Sequence, residues 1–481
     1  MRISPFDLAI ILLYLAGVTL FGARFRRGQQ NLRDYFLGGC TAPWWALACS
    51  IVATETSTLT IIGTPALAYS GNLGFLQLVM GYLLARVILC VVFIPQYFKG
   101  EFYTAYQLLG KRFGARMERA AAAVFLATRA LGEGVRISAV GKVVSVALGT
   151  GARASVAIVA ALTIFYTFQG GMSAVIWTDV MQFGLYLAGS LAAFFLLLRR
   201  IPGGWATVTQ VAVVSGGKLH VFDFAFSLTQ SYTFWSGILG GTFLTMASHG
   251  TDQTMVQRLL SARNERDSQR ALLASGVIIF AQFALFLVIG VMLFVYARHA
   301  PLVAPGGDSD RIFPEFIVRD MPVGLAGLAL AAIFAVAMSN ASGSLNSLAS
   351  CSVIDFGAIA GHGGGQASAQ PLARSRRITL AWGVILGLLG LVRWGPVLIA
   401  GLTIASIVYG ALLGIFLLGM WNRRATENGA LAGFVAGIAA MIAVTFLTPL
   451  AWTWYVLTGT IFTFAAGSIA SLARRSSPPS A

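Results

Sequence analysis

The chain has 481 residues, of which 57% are hydrophobic and only 10% charged; a soluble domain carries about 25% charged residues. Apolar runs of about 20 residues recur from end to end, which excludes a soluble protein and marks a polytopic, all-α integral membrane protein. The formal net charge of +16 would suit a nucleic-acid partner, but the placement of the basic residues excludes that reading.

In chain order, the first apolar run, 5–23, could be mistaken for a signal peptide. It lacks a substantial basic leader and a small-residue cleavage site, and ARFRR follows it, so it reads as an extra N-terminal helix that is retained. Further runs follow near 44–69, 74–98, 120–148, 153–169, 174–198, 232–257, 271–297, 322–356, 377–393, 396–420, 429–447 and 450–472, giving about 13 spans. With the N-terminus outside, the alternating inner loops hold 20 of the 33 basic residues, Arg24, Arg112 and Arg258 among them, against nine in outer segments and four within spans. The positive-inside rule therefore places the N-terminus outside and the C-terminus in the cytoplasm of a cell inner (plasma) membrane. Basic charge sets orientation, the partner is the lipid bilayer, and no nucleic acid is implied. Residues 199–231 and 298–321 read as outer loops, 259–275 as a charged cytoplasmic elbow, and 357–373 as a flexible cytoplasmic linker. Residues 474–481 read as a disordered tail.

Two spans are interrupted by small and polar residues. One is SIVATETSTLTIIGTPALAY, 50–69, with Glu55, five threonines, Gly63 and Pro65; the other is SGILGGTFLTMASHGTDQTMVQR, 236–258. They open what would be two five-helix halves, 44–198 and 232–420, with 429–473 holding two extra C-terminal helices. Broken helices at matching positions of two halves point to an inverted-repeat secondary transporter. Unwound backbone at membrane depth is tolerated only where it lines a cavity or a site.

The stretch FAVAMSNASGSLNSLAS, 334–350, lies in an apolar span yet carries five serines and two asparagines. On a helix, Ser339, Ser342, Asn346 and Ser350 share one stripe, with Ser339, Gly343 and Ser347 on an adjacent row of small residues. Two readings stand side by side: close helix packing with hydroxyls bonded across helices, or a cation site, since a hard ion wants several oxygens. The broken helix at 50–69 supplies a second wall, with free carbonyls near Ala53 and Thr56. Asp179, inside AVIWTDVMQFGLYLAG, is either a functional intramembrane carboxylate or an interfacial helix cap. In LGEGVRISAVGK, 131–142, Arg136 offers a guanidinium fork for a carboxylate or pairs internally with Glu133 or Glu55. The four cysteines and four histidines are dispersed without metal-ligand spacing, and no nucleophile–base constellation occurs in the spans, so an enzyme is not expected.

Four segments carry a resemblance. YTFQGGMSAVIWTDVMQ (166–182), EFYTAYQLLGKRFG (101–114), SHGTDQTMVQRLLSAR (248–263) and RRATENGALAGFVAG (423–437) resemble, in order, signature stretches of the sodium:solute symporter family. The resemblance implies a LeuT-type five-plus-five inverted repeat and sodium-coupled import of a small organic solute by alternating access. It implies a sodium site built from the carbonyls of Ala53, Thr56 and Val336 and the side chains of Ser339 and Asn340. The family usually has Ser or Thr where Asn340 stands, which puts ion affinity and ion identity in question. Ser339, Ser342 and Asp179 match a further sodium site of some members, where Gly343 replaces a usual serine; Asp179 serves there or on the exit path. Substrate contacts are implied near Ser57, Thr60 and Gln77, at Thr245 and Ser248, and at Arg136, whose place holds a substrate-binding arginine in carboxylate-transporting relatives. A proton-coupled or uncoupled carrier of the same fold, and a sensor without net transport, are the alternatives. Oligomeric state is left open.

Overall fold

In a computed structural model of the chain, the described residues are 4–25, 31–148, 152–300, 309–357, 369–392 and 397–473, and the regular elements among them are helices. The principal ones are α1 (Pro5–Ala23), α2 (Trp44–Glu55), α3 (Thr58–Ser70), α4 (Leu76–Val92), α5 (Ala115–Leu148), α6 (Ala152–Arg200), α7 (Gly241–Gly250), α8 (Gln253–Leu260), α9 (Glu265–Tyr296), α10 (Leu325–Ile354), α11 (Ala369–Gly390), α12 (Val397–Trp421), α13 (Glu427–Leu447) and α14 (Tyr455–Ala473). Because α11 begins at Ala369, the expected linker over 357–373 is helical in its last residues; the tail 474–481 lies outside the described residues.

Both interruptions read from the sequence are breaks. Thr56 and Ser57 are extended between α2 and α3 (ψ 111° and 165°), and the two arms bend by 65°. Ser57 then caps α3 in a capping box with Thr60. In the second break, α7 stops at Gly250, Asp252 is extended (ψ 121°), and its carboxylate accepts from the Thr254 amide to cap α8. Gly171, with φ 55° and ψ −157°, divides the long α6 where the sequence separates 153–169 from 174–198. Among the described residues, seven helices are long and apolar enough to cross a membrane, and the bent pair α2–α3 would be an eighth. The expected count of about thirteen is not reached by that measure. That count covers the described residues alone, and in α5 the physical reason is plain: it carries Arg129, Glu133 and Arg136 in its middle.

Two apolar cores fill the molecule, and the polar belt lies where they meet. On one side sit Val52, Leu78, Val79, Tyr186, the α9 stretch from Ile279 to Tyr296, and α10 as far as Met338. On the other sit Ala46 to Ile51, Leu89, Val175, Leu272, and α10 from Leu345 onward. Between them α10 presents Ser339, Asn340, Ser342 and Ser344, all buried. Small side chains let α10 lie against α6, α5, α11 and α1 at once.

One brace was not foreseen. Asp7 of α1 is buried, and its Oδ1 accepts from the backbone N–H of Gly324 at 2.7 Å and of Gly327 at 2.8 Å. It therefore caps the first turn of α10, where a negative charge meets the positive end of the helix. Asp7→Ala is expected to destabilise the fold by about 1–3 kcal/mol, since two backbone donors, that of Gly327 buried and that of Gly324 half-buried, lose their acceptor. A fall in the thermal unfolding midpoint of the detergent-solubilised protein measures this; no change would remove the brace.

Candidate functional site

The break after Glu55 frees carbonyls at the C-terminal end of α2. In a continuous helix the Ser57 amide would serve the Ala53 carbonyl; here it donates to Thr60 Oγ1 at 3.1 Å. The Thr56 carbonyl points across to α10, where Asn340 Nδ2 donates to it at 2.8 Å and to the Val336 carbonyl at 3.1 Å. Thr56, Val336 and Asn340 are thus brought together. The Thr56 hydroxyl donates to the Val52 carbonyl (2.8 Å) and accepts from Gln282 Nε2 of α9 (2.7 Å) and from Tyr186 of α6 (3.4 Å).

Ser339, one position away, donates to Asp179 Oδ1 at 2.6 Å. The other oxygen of Asp179 accepts from Ser50 at 2.5 Å and from Arg258 at 3.0 Å. Asp179 and Arg258 are both fully buried, so the interfacial-cap reading of Asp179 does not hold. Nor does Arg258 stand in an inner loop among the orienting charges: its Nε reaches Ser50 at 2.9 Å and its Nη1 the Thr254 carbonyl at 2.7 Å. A Cβ at Gly343 would lie 2.8 Å from the Arg258 guanidinium, so this position makes room for the arginine. Ser342 donates back to the Ser339 carbonyl at 3.0 Å. Further along α10, Ser347 meets Gln257 (3.1 Å) and Ser350 accepts from Gln253 (3.2 Å), as packing positions do.

Between the two broken helices lies a cavity of about 280 Å³, whose walls include Ser57, Thr60, Arg136, Thr245 and Ser248. Of the substrate positions read from the sequence, Gln77 is the exception. Its amide is spent on the carbonyls of Gly74 (3.2 Å) and Tyr232 (3.1 Å) and on the Asp223 N–H (3.0 Å), tying the loop after α6 to the start of α4. Arg136 Nη1 lies 3.1 Å from Glu133 Oε2, and Glu55 pairs instead with Arg86 and, at 3.4 Å, with His249. Arg129 sits between Glu133 (3.9 Å) and Asp252 (3.8 Å), and Tyr409 donates to Asp252 at 2.9 Å. Every carboxylate in this wall has an arginine. Arg136 is nevertheless 31% exposed, against 9% for Arg129, 12% for Glu55 and 4% for Asp252. The side chain of Lys142 lies outside the described residues.

Arg86, Arg129, His249, Asp252 and Gln282 were missed as site residues. Arg86 and Arg129 were within reach, because a basic residue inside an apolar span is unusual enough to suggest a role. His249 and Asp252 carried the same signal, as ionisable residues within the interrupted span 236–258.

The model of the sodium:solute symporter family matches residues 35–437. The chain belongs to that family. It is 29% identical to the sodium/sialic acid symporter SiaT of Proteus mirabilis, over 96% of this chain and 94% of that one. It is 31% identical to the sodium/sialic acid symporter NanT of Aliivibrio fischeri, over 94% and 90%. It is 29% identical to the human sodium-coupled monocarboxylate transporter 1, over 89% of this chain and 71% of the relative. A substrate-bound, outward-open Na+-coupled sialic acid symporter superposes with a TM-score of 0.90 at 27% identity, over 98% of both chains. Mhp1, a nucleobase–cation symporter, shares the fold alone, with a TM-score of 0.60 at 15% identity. This sodium:solute symporter is a membrane transporter and not an enzyme, and sodium is its coupling ion.

The buried Asp179–Arg258 pair sets the first prediction at the site. Arg258→Met leaves a carboxylate in the core without its counter-charge and is expected to cost about 3–5 kcal/mol. Adding Asp179→Leu should return much of that, because the pair as a whole contributes little net stability. Thermal unfolding of the single and double variants decides it; equal losses in both would contradict the pairing.

Proposed function

We propose that this symporter carries a small organic anion bearing a carboxylate, together with sodium bound between the α2–α3 break and α10. The observation that carries the anion is the exposure of Arg136. A carboxylate entering the cavity meets one guanidinium that still faces open space, while the other charges of the wall are covered by partners. A planar guanidinium fork suits a carboxylate by two parallel hydrogen bonds. The hydroxyls of Ser57, Thr60, Thr245 and Ser248 supply donors and acceptors for the rest of the solute. The relatives named for sialic acid and monocarboxylates point to the same chemistry.

Sodium in this reading takes the carbonyls of Ala53, Thr56 and Val336 and the side chains of Ser339 and Asn340. A second ion at Asp179, Ser339 and Ser342 would meet a carboxylate already neutralised by Arg258, which favours a single ion and leaves Asp179 to the exit path. Alternating access then follows from two five-helix repeats, 44–198 and 232–420, rocking about the site. The frame is about thirteen spans in the cell's inner membrane, with the N-terminus outside and the C-terminus cytoplasmic.

The energetics separate solute classes. One sodium crossing about 100 mV contributes roughly 2.3 kcal/mol, and a tenfold gradient about 1.4 kcal/mol. With a neutral solute both terms apply, about 3.7 kcal/mol, enough for roughly 500-fold accumulation. With a monoanion the two charges cancel, the voltage does no work, and a tenfold gradient supports about tenfold accumulation.

Uptake of labelled monocarboxylates and acidic sugars into proteoliposomes should therefore require sodium yet carry no current. A sodium-dependent current with such substrates would reject the one-to-one stoichiometry. Arg136→Gln is expected to raise the substrate KM by roughly 10- to 100-fold, the loss of a charge-assisted hydrogen bond, with sodium dependence unaltered. Ser339→Ala should raise the half-saturating sodium concentration several-fold; an unaltered requirement takes Ser339 out of the ion site.

A further inference from the structure

The Asn340 amide donates to two carbonyls that face the place of a cation. That of Thr56 ends the first arm of the broken helix, and the break leaves it without a helix partner; that of Val336, in the preceding turn of α10, keeps its helix bond and offers its second lone pair. Both accept from the same amide nitrogen, at 2.8 and 3.1 Å, and the side chain is only 2% exposed. The oxygen at the other end of that amide, Oδ1, is buried without a hydrogen-bond partner.

The two ends of an amide are alike in size and opposite in chemistry, one a double donor and the other an acceptor. Facing two carbonyl oxygens, the nitrogen end satisfies both. Turned over, the oxygen end would set three acceptor oxygens against one another, an arrangement that holds only around a positive charge. The orientation seen is thus the one carbonyls select by themselves, and the opposite one is what a bound cation selects. Serine or threonine at this position has a single hydroxyl hydrogen and cannot bridge both carbonyls.

Resting on the proposal that sodium binds between the α2–α3 break and α10, we infer that Asn340 is a tethered substitute for the transported ion. Its N–H groups occupy the Thr56 and Val336 carbonyls, and sodium enters only as the amide turns its oxygen inward. Two consequences follow. Sodium must displace two hydrogen bonds where a Ser or Thr carrier makes at most one, which raises the concentration needed for binding. When the ion leaves, the amide takes its place at both carbonyls. The empty carrier can then reorient with the Thr56 carbonyl paired, where an unpaired backbone oxygen is costly at membrane depth.

The test is a sodium titration of the purified, detergent-solubilised protein, read as the rise of the thermal unfolding midpoint over a choline control, since an ion that binds the folded state stabilises it. Asn340→Ser should need about tenfold less sodium for the half-maximal rise, equivalent to about 1.4 kcal/mol. In proteoliposomes at saturating sodium the same variant should lower net uptake several-fold more than it lowers substrate exchange, because only net uptake requires the empty carrier to return. Asn340→Thr serves where Asn340→Ser does not fold. An equal or higher sodium requirement in a folded variant would overturn the inference and make the amide oxygen an ordinary ligand. Ser339→Ala separates this from the site itself: if it raises the requirement while Asn340→Ser does not lower it, the ion site stands and the tethered substitute falls. If Ser339→Ala changes nothing, both fall together.

Discussion

A helix broken inside a membrane leaves backbone carbonyls that lipid cannot satisfy, and the polar belt of this molecule is arranged around that constraint. The α2–α3 break turns the Ser57 amide onto Thr60 and aims the Thr56 carbonyl at α10. What α10 must supply is a donor, and Asn340 supplies it. That requirement explains why a span with apolar neighbours on both sides carries serines and an asparagine at its middle, where the two cores meet. It also explains the close packing of small residues around them, since short side chains reach a partner only if helices approach.

Charge is handled in the same place by a different rule. Each buried carboxylate of the belt has an arginine: Asp179 with Arg258, Glu55 with Arg86, and Glu133 with Arg136 and Arg129. The partners come from different helices in the first two cases, α6 with α8 and α2 with α4, so the pairs join the wall as well as neutralise it. Breaking such a pair costs far more than forming it gains. The pairs therefore fix their helices against one another and give little net stability. His249 lies against Glu55 and bonds Ser248, which links the Glu55–Arg86 pair to a hydroxyl of the solute cavity.

Much of this frame was legible in the sequence. Glu55, the five threonines and Pro65 marked the first break, and the small and polar residues of 236–258 marked the second; both breaks fall within the stretches read. The polar stripe on α10 was legible too. What composition could not give was direction. Whether Asn340 presents oxygen or nitrogen depends on the carbonyls opposite, and no residue type encodes that. Arg258 was counted as a loop charge because it ends an apolar run, yet the break before it folds α8 back under the site. Gln77 was implied as a substrate contact by the family resemblance, but its amide is consumed by the loop after α6. In both cases a long-range partner decided the role.

The belt thus contains two kinds of polar group with unequal freedom. An arginine bound to a carboxylate cannot leave without separating charge in a medium of low dielectric, so Arg258 and Arg86 act as fixed joints. The amide of Asn340 can turn over with no change in net charge and little change in volume. Its two faces suit two different occupants of the same carbonyls. A coupling step that depends on an ion arriving and leaving is best placed on such a neutral group. The arginine pairs hold the walls in register while the amide changes partner.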